Sequence, residues 1–172
     1  MKVFKNIIFK FIFLMFSGFI FSFVQAKPDL NSLLVIVDEQ ENSALCSEST
    51  PFTEGVYEAL WDKSDSMFYD IKLQDPLKFL HDELDAVPFI QTAKSSGADS
   101  ILLIKVNYNY MSTGKQYNIK IKEIYYKIYS VSALKTVKNS HKNINLNNSF
   151  KSSDDKEKIL KKIGYDILKE IL

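Results

Sequence analysis

The chain has 172 residues, with 22 lysines, no arginine, 21 acids, two histidines, one cysteine and a formal net charge of +1. That composition excludes a multi-pass membrane protein, a disulfide-stapled mini-protein, a cysteine-based zinc module and a strongly basic nucleic-acid binder. The apolar content suits one folded domain rather than a disordered chain.

Met1 to Lys10 is a cationic start, and Phe11 to Val24 is an apolar run broken only by Ser17, Gly18 and Ser22. Val24-Gln25-Ala26 supplies a small-residue cleavage pattern, so residues 1–26 read as a cleaved secretion signal and 27–172 as a single periplasmic domain. A helix of that length reaches about 21 Å, short of the roughly 30 Å of membrane hydrocarbon. Secretion, or anchoring by an uncleaved N-terminal segment, is the alternative. Cys46 has no internal partner and reads as a free surface thiol in a polar loop, with an intermolecular disulfide as the other reading.

Leu33 to Val37 is a continuous apolar run that predicts a strand buried on both faces, ended by Asp38-Glu39. Thr50-Pro51 starts a helix with a stripe of Phe52, Val56, Ala59 and Leu60, broken at Ser64 to Ser66. Met67 to Lys72 alternates weakly as a short strand. Asp75-Pro76 predicts a second helix, with Leu77, Leu80 and Leu84 on one face and His81 upon it. Pro88 opens a third short helix, which Gly97 closes.

From Ala98 the apolar period becomes two. Leu102, Ile104, Val106, Tyr108 and Tyr110 share one strand face, with Lys105, Asn107 and Asn109 on the other. Ser112-Thr113-Gly114-Lys115 forms a hairpin turn, and the return strand begins with Tyr117, Ile119 and Ile121. The parity then slips to Ile124, Tyr126 and Ile128, which one extra residue at Lys122-Glu123, a β-bulge, accounts for. A turn at Val131 to Leu134 leads to a weaker strand over 135–146, a linker over 149–153 and a final helix over 154–172, with Leu160, Ile163, Ile167 and Ile171 buried. The expected fold is α/β (α+β), a single two-layer domain. Its mixed sheet has helical crossovers first, then a three-strand antiparallel meander and a C-terminal helix.

No phosphate-cradling glycine loop, nucleophile elbow or metal-spaced His/Cys set stands in the sequence. No catalytic residue, cofactor or metal is therefore assigned, and the chain is read as a non-enzyme. Charge is segregated: residues 27–100 carry 15 acids against 5 lysines, and 101–172 carry 14 lysines against 6 acids. Lysines and tyrosines interleave in the meander, and Lys105, Tyr108, Tyr110, Lys115, Tyr117, Lys120, Lys122, Tyr125, Lys127 and Tyr129 form the expected binding set. A basic aromatic sheet face suits an acidic protein, a glycan strand or an anionic headgroup. The bland alternative is solvated lysines over packed tyrosines.

The element order also resembles a group of bacterial envelope domains: the amino-terminal domain of TolB, the penicillin-binding-protein activator LpoB, CsgG and FlgT. The residues that carry it are the first strand at Leu33-Val37 and Gly97-Ala98-Asp99-Ser100 running into the apolar Ile101-Leu102-Leu103-Ile104. The Tyr129 to Lys135 turn and the closing helix follow. The helix at 76–84 is an addition, and Ser132-Ala133-Leu134 departs from the Asp and Thr-Gly usual in that turn. The resemblance implies a non-enzymatic envelope accessory or assembly protein that works through an envelope protein partner, without nucleic acid. A soluble binder of a glycan or lipid headgroup, in peripheral contact with membrane or cell wall, is the alternative. A small hydrolase is a third reading for which no cleft residues are identified.

Overall fold

The computed structural model describes residues 30–46, 50–63, 67–113, 116–150 and 152–172. The expected signal at 1–26, the helix break at 64–66 and the turn residues Gly114 and Lys115 lie outside the described residues.

The long strands are β1 (Ser32–Glu41), β6 (Ser100–Thr113), β7 (Gln116–Ser130) and β8 (Lys135–Phe150). Two short strands, β2 (Ala44–Leu45) and β3 (Met67–Asp70), border β1, and β4 (Phe79–Leu80) and β5 (Glu83–Leu84) form a separate hairpin. The helices are α1 (Pro51–Trp61), α2 (Ile90–Ser96) and α3 (Ser153–Ile171), with a 3-10 turn at Val87–Phe89. The main sheet runs β2-β1-β6-β7-β8, and β3 also pairs with β1. β1 is parallel to β3 and β6, whereas β6, β7 and β8 form an antiparallel meander. The mixed sheet and its α+β order match the expectation from sequence.

Each face of the sheet has its own core. Leu33, Val35, Leu102, Ile104, Val106 and Ile128 pack under α1 and α3. Leu34, Ile36, Ile101 and Leu103 point the other way, against Leu77, Leu84, Ala86 and Ala93 from the chain between β3 and β6. That double burial explains why the β1 and β6 starts read as unbroken apolar runs. Gly97 caps α2 with φ +77°, and Ala98 drops into the second core. The Asp99 N–H donates to the Ser32 carbonyl, and the Ser32 hydroxyl to the Asp99 carboxylate at 2.9 Å. The Gly-Ala-Asp segment thus turns the chain, fills the core and registers β6 on β1.

The bulge falls where the parity slip put it. Val106 pairs with Ile124 and Tyr108 with Ile121, so Lys122 and Glu123 oppose Asn107 alone. Three expectations need correction. β1 does not stop at Asp38 but runs to Glu41, with Asp38 and Glu39 buried. The expected helix over 75–84 is the β4-β5 hairpin. His81 and Asp82 have φ +51° and +65°, the left-handed pair that a two-residue type I′ turn needs. Leu77, Leu80 and Leu84 mimic a helical stripe, yet only Leu77 and Leu84 are buried. Finally, β8 extends to Phe150 and takes in Ser149 and Phe150, the first two residues of the expected linker.

Helices α1 and α3 meet at two glycines. A Cβ on Gly55 would collide with the Lys161 carbonyl, and one on Gly164 with that of Phe52. Neither neighbour can yield, because both are helix backbone. Gly164→Ala is expected to destabilise the domain by about 2–3 kcal/mol and to lower Tm by roughly 5–10 °C in a thermal melt, whereas Lys162→Ala on the exposed face leaves Tm unchanged.

Candidate functional site

The site is built around adjacent acids of β1 that face opposite sides of the sheet. Asp38 is fully buried. One carboxylate oxygen receives the Lys105 ammonium at 3.0 Å and the Leu77 N–H at 2.8 Å, and the other the Gln40 amide at 2.8 Å. Lys105 also donates to the Leu77 carbonyl at 3.0 Å. Lys127, buried beside it, donates to the Leu84 carbonyl at 2.8 Å and pairs with Glu83 at 3.0 Å. Two lysines from the meander therefore grip the two ends of the β4-β5 hairpin. Phe79 meets Tyr125 edge to face at 5.4 Å, and Tyr125 lies 5.8 Å from His141 of β8. Strand β4 of the hairpin is left partly outside, with Phe79 43% and Leu80 50% exposed.

Glu39 points to the helix side. Its carboxylate accepts from the Thr50 hydroxyl, from the Thr53 N–H at 3.1 Å and hydroxyl at 2.8 Å, and from the Tyr108 hydroxyl at 3.0 Å. Thr50 occupies the N-cap of α1 without capping it through its own side chain. Glu39 takes that role from the neighbouring strand, satisfying an orphan helix N–H and meeting the positive end of the helix dipole. Burial raises the Glu39 carboxyl above the usual 4.5 despite these bonds. Burial and Glu39 together push the Tyr108 hydroxyl far up, and the half-buried free thiol of Cys46 is raised by the same causes. Lys156 of α3 closes the cluster, 2.9 Å from Glu41 and 3.9 Å from the Tyr110 ring centroid.

The ten expected binding residues do not form one surface. Tyr108 is core, 2% exposed, held by Glu39. Tyr110 and Tyr117 stack at 6.1 Å on the helix side and pack against the first core. Lys105 and Lys127 face the other side but are committed to the hairpin, and Tyr129 packs into the second core. Lys115 lies outside the described residues. Lys120 and Lys122 are exposed on the face beyond the hairpin, with half-buried Tyr125 at its border. The bulge and the double-sided core divide a set that strand alternation alone could not separate. Asp38, Glu39 and the hairpin were missed. The one signal for them was a pair of acids directly following an apolar strand, which also fits a strand end.

Among the described residues no group of three or more His, Cys, Asp or Glu could hold a metal ion, and no helix is long and apolar enough to cross a membrane.

No protein-family model matches this sequence, and none of the curated proteins matches it. Solved structures do. The PelC dodecamer from Paraburkholderia phytofirmans aligns at 11% identity and a TM-score of 0.52, over 78% of this chain and 83% of that one. A single-substitution variant of the same dodecamer aligns at 10% identity and 0.51, over 80% and 87%. The LpoB C-terminal domain from Salmonella enterica aligns at 14% identity and 0.41, over 68% and 84%. The likeness to PelC shows a shared fold.

Two predictions follow from the buried acids. Asp38→Ala leaves Lys105 uncompensated and is expected to cost about 3–5 kcal/mol. Amide exchange should rise at Leu77 and Leu84 before the main sheet, and Asp38→Ala combined with Lys105→Met should recover part of the loss. For Glu39 the folded-state value lies above the unfolded one, so the folded state binds the proton more readily. Its contribution is full below the unfolded value and is lost as pH rises through the folded one. Urea titrations should show wild-type stability falling relative to Glu39→Gln as pH rises above 4.5.

Proposed function

We propose that this protein is an exported, non-enzymatic accessory or assembly protein of the bacterial cell envelope, acting through contact with an envelope protein. The cleaved signal at 1–26 and the periplasmic domain at 27–172 are part of this reading. The observation that carries it is the β4-β5 hairpin. Two lysines and a buried carboxylate are spent on holding a six-residue hairpin whose first strand, Phe79-Leu80, is exposed. Rigid apolar anchors on a preorganised element are what a protein interface uses, since little conformational entropy is lost on docking. The PelC fold supports the same direction, because that protein is a dodecamer and so uses this architecture for protein-protein contact. The resemblance to the TolB, LpoB, CsgG and FlgT domains agrees with it.

The test is affinity capture of tagged mature protein from detergent-solubilised envelope, read by mass spectrometry beside a Leu80→Asp variant. The expected result is one stoichiometric protein partner, retained at least about 30-fold less by the variant. Recovery of the protein alone, or equal capture by the variant, counts against the reading.

A further inference from the structure

Past the hairpin, the sheet face opposite α1 and α3 continues as a surface of different chemistry. The β6-β7-β8 register sets it out in rows. The aromatic step Tyr125-His141 comes first, then Asn107 and Asn143 flanking Lys122 and Glu123, then Asn109 beside Lys120. Asn118, opposite Met111, closes the far end. Asn107, Asn109, Lys120, Lys122 and Asn143 are all exposed. With two residues of rise per row and strands near 4.8 Å apart, the patch measures roughly 20 by 10 Å. Asparagine is disfavoured in strands, yet it recurs here in the middle of three long ones.

We propose that this patch binds an extended acidic oligosaccharide. The amides of Asn107, Asn109 and Asn143 each carry both donors and an acceptor, the pairing that a sugar hydroxyl requires, whereas the Asn118 oxygen already accepts from the Ser149 hydroxyl. Lys120 and Lys122 are point charges for carboxylates on the glycan. The Tyr125-His141 step offers ring surface to the apolar face of a sugar. A protein partner fits this patch poorly, because protein interfaces centre on apolar and aromatic anchors and are poor in lysine. Nucleic acid fits poorly too: binding there rests on neutralising many phosphates, and two lysines beside Glu123 neutralise few. A lipid surface would need apolar side chains to insert, and only Met111 at the far end offers one. The patch borders strand β4 where Tyr125 meets Phe79, but its asparagines and lysines lie on β6, β7 and β8 rather than on Phe79-Leu80, and it goes beyond the protein contact proposed above.

The test is calorimetric titration of the mature domain with hexagalacturonate, neutral chitohexaose and poly-glutamate. The expected result is preference for hexagalacturonate over both. Asn107→Ala with Asn109→Ala, and Lys120→Ala with Lys122→Ala, should each weaken it at least about tenfold without moving Tm, since these side chains are exposed. Leu80→Asp should leave it unchanged, which keeps this outcome distinct from that of the protein capture. The proposal is overturned by equal or tighter binding of poly-glutamate or chitohexaose, by no binding of hexagalacturonate up to about 1 mM, or by unaltered affinity in both double variants.

Discussion

Asp38 and Lys105 form the contact on which the outer half of this molecule depends. A carboxylate with no solvent exposure is tolerable only when its charge and its lone pairs are met. Here an ammonium, a side-chain amide and a backbone N–H meet them. The backbone group belongs to Leu77, so satisfying the charge and placing the hairpin are one event. Lys127 repeats the device at the other end, through the Leu84 carbonyl. The hairpin has only two paired residues per strand, too few to persist alone in water. It is held by the sheet beneath it rather than by its own ladder.

The neighbouring residue solves a different problem on the opposite face. Glu39 caps a helix from across the layer and receives the Tyr108 hydroxyl. Because side chains alternate along a strand, two consecutive acids serve two cores without touching. The two helices lying over this second face approach each other closely enough that only glycine fits at Gly55 and Gly164. The sheet is thus clamped by polar contacts on the hairpin side and by glycine-mediated helix packing on the other. On the hairpin side, the apolar strand Phe79-Leu80 and a strip of amides and lysines are exposed.

Legibility followed the range of the interactions involved. The α1 stripe, the glycine cap of α2, the meander and the bulge at Lys122-Glu123 depend on neighbours a few residues apart, and the sequence pattern shows them. The 77–84 segment misled because Leu77, Leu80 and Leu84 sit at helical spacing. Its conformation is decided by Asp38, 39 residues away from Leu77 in the chain. Which members of the binding set are exposed was not legible for a related reason. Alternation assigns residues to faces, but not which face is covered, so Tyr108 and Lys120 looked alike although one is core and the other open.

Composition and periodicity by themselves determined a mixed α+β domain, the order of its main elements and the segregation of acid and base along the chain. These are set by local hydrophobic spacing and by counts of residues. The tertiary structure alone decided which acids are buried, which lysines are consumed as anchors and which face stays open. Those outcomes depend on desolvation and on partners far apart in sequence, and a charge has the same place in the chain whether it ends in water or under a hairpin.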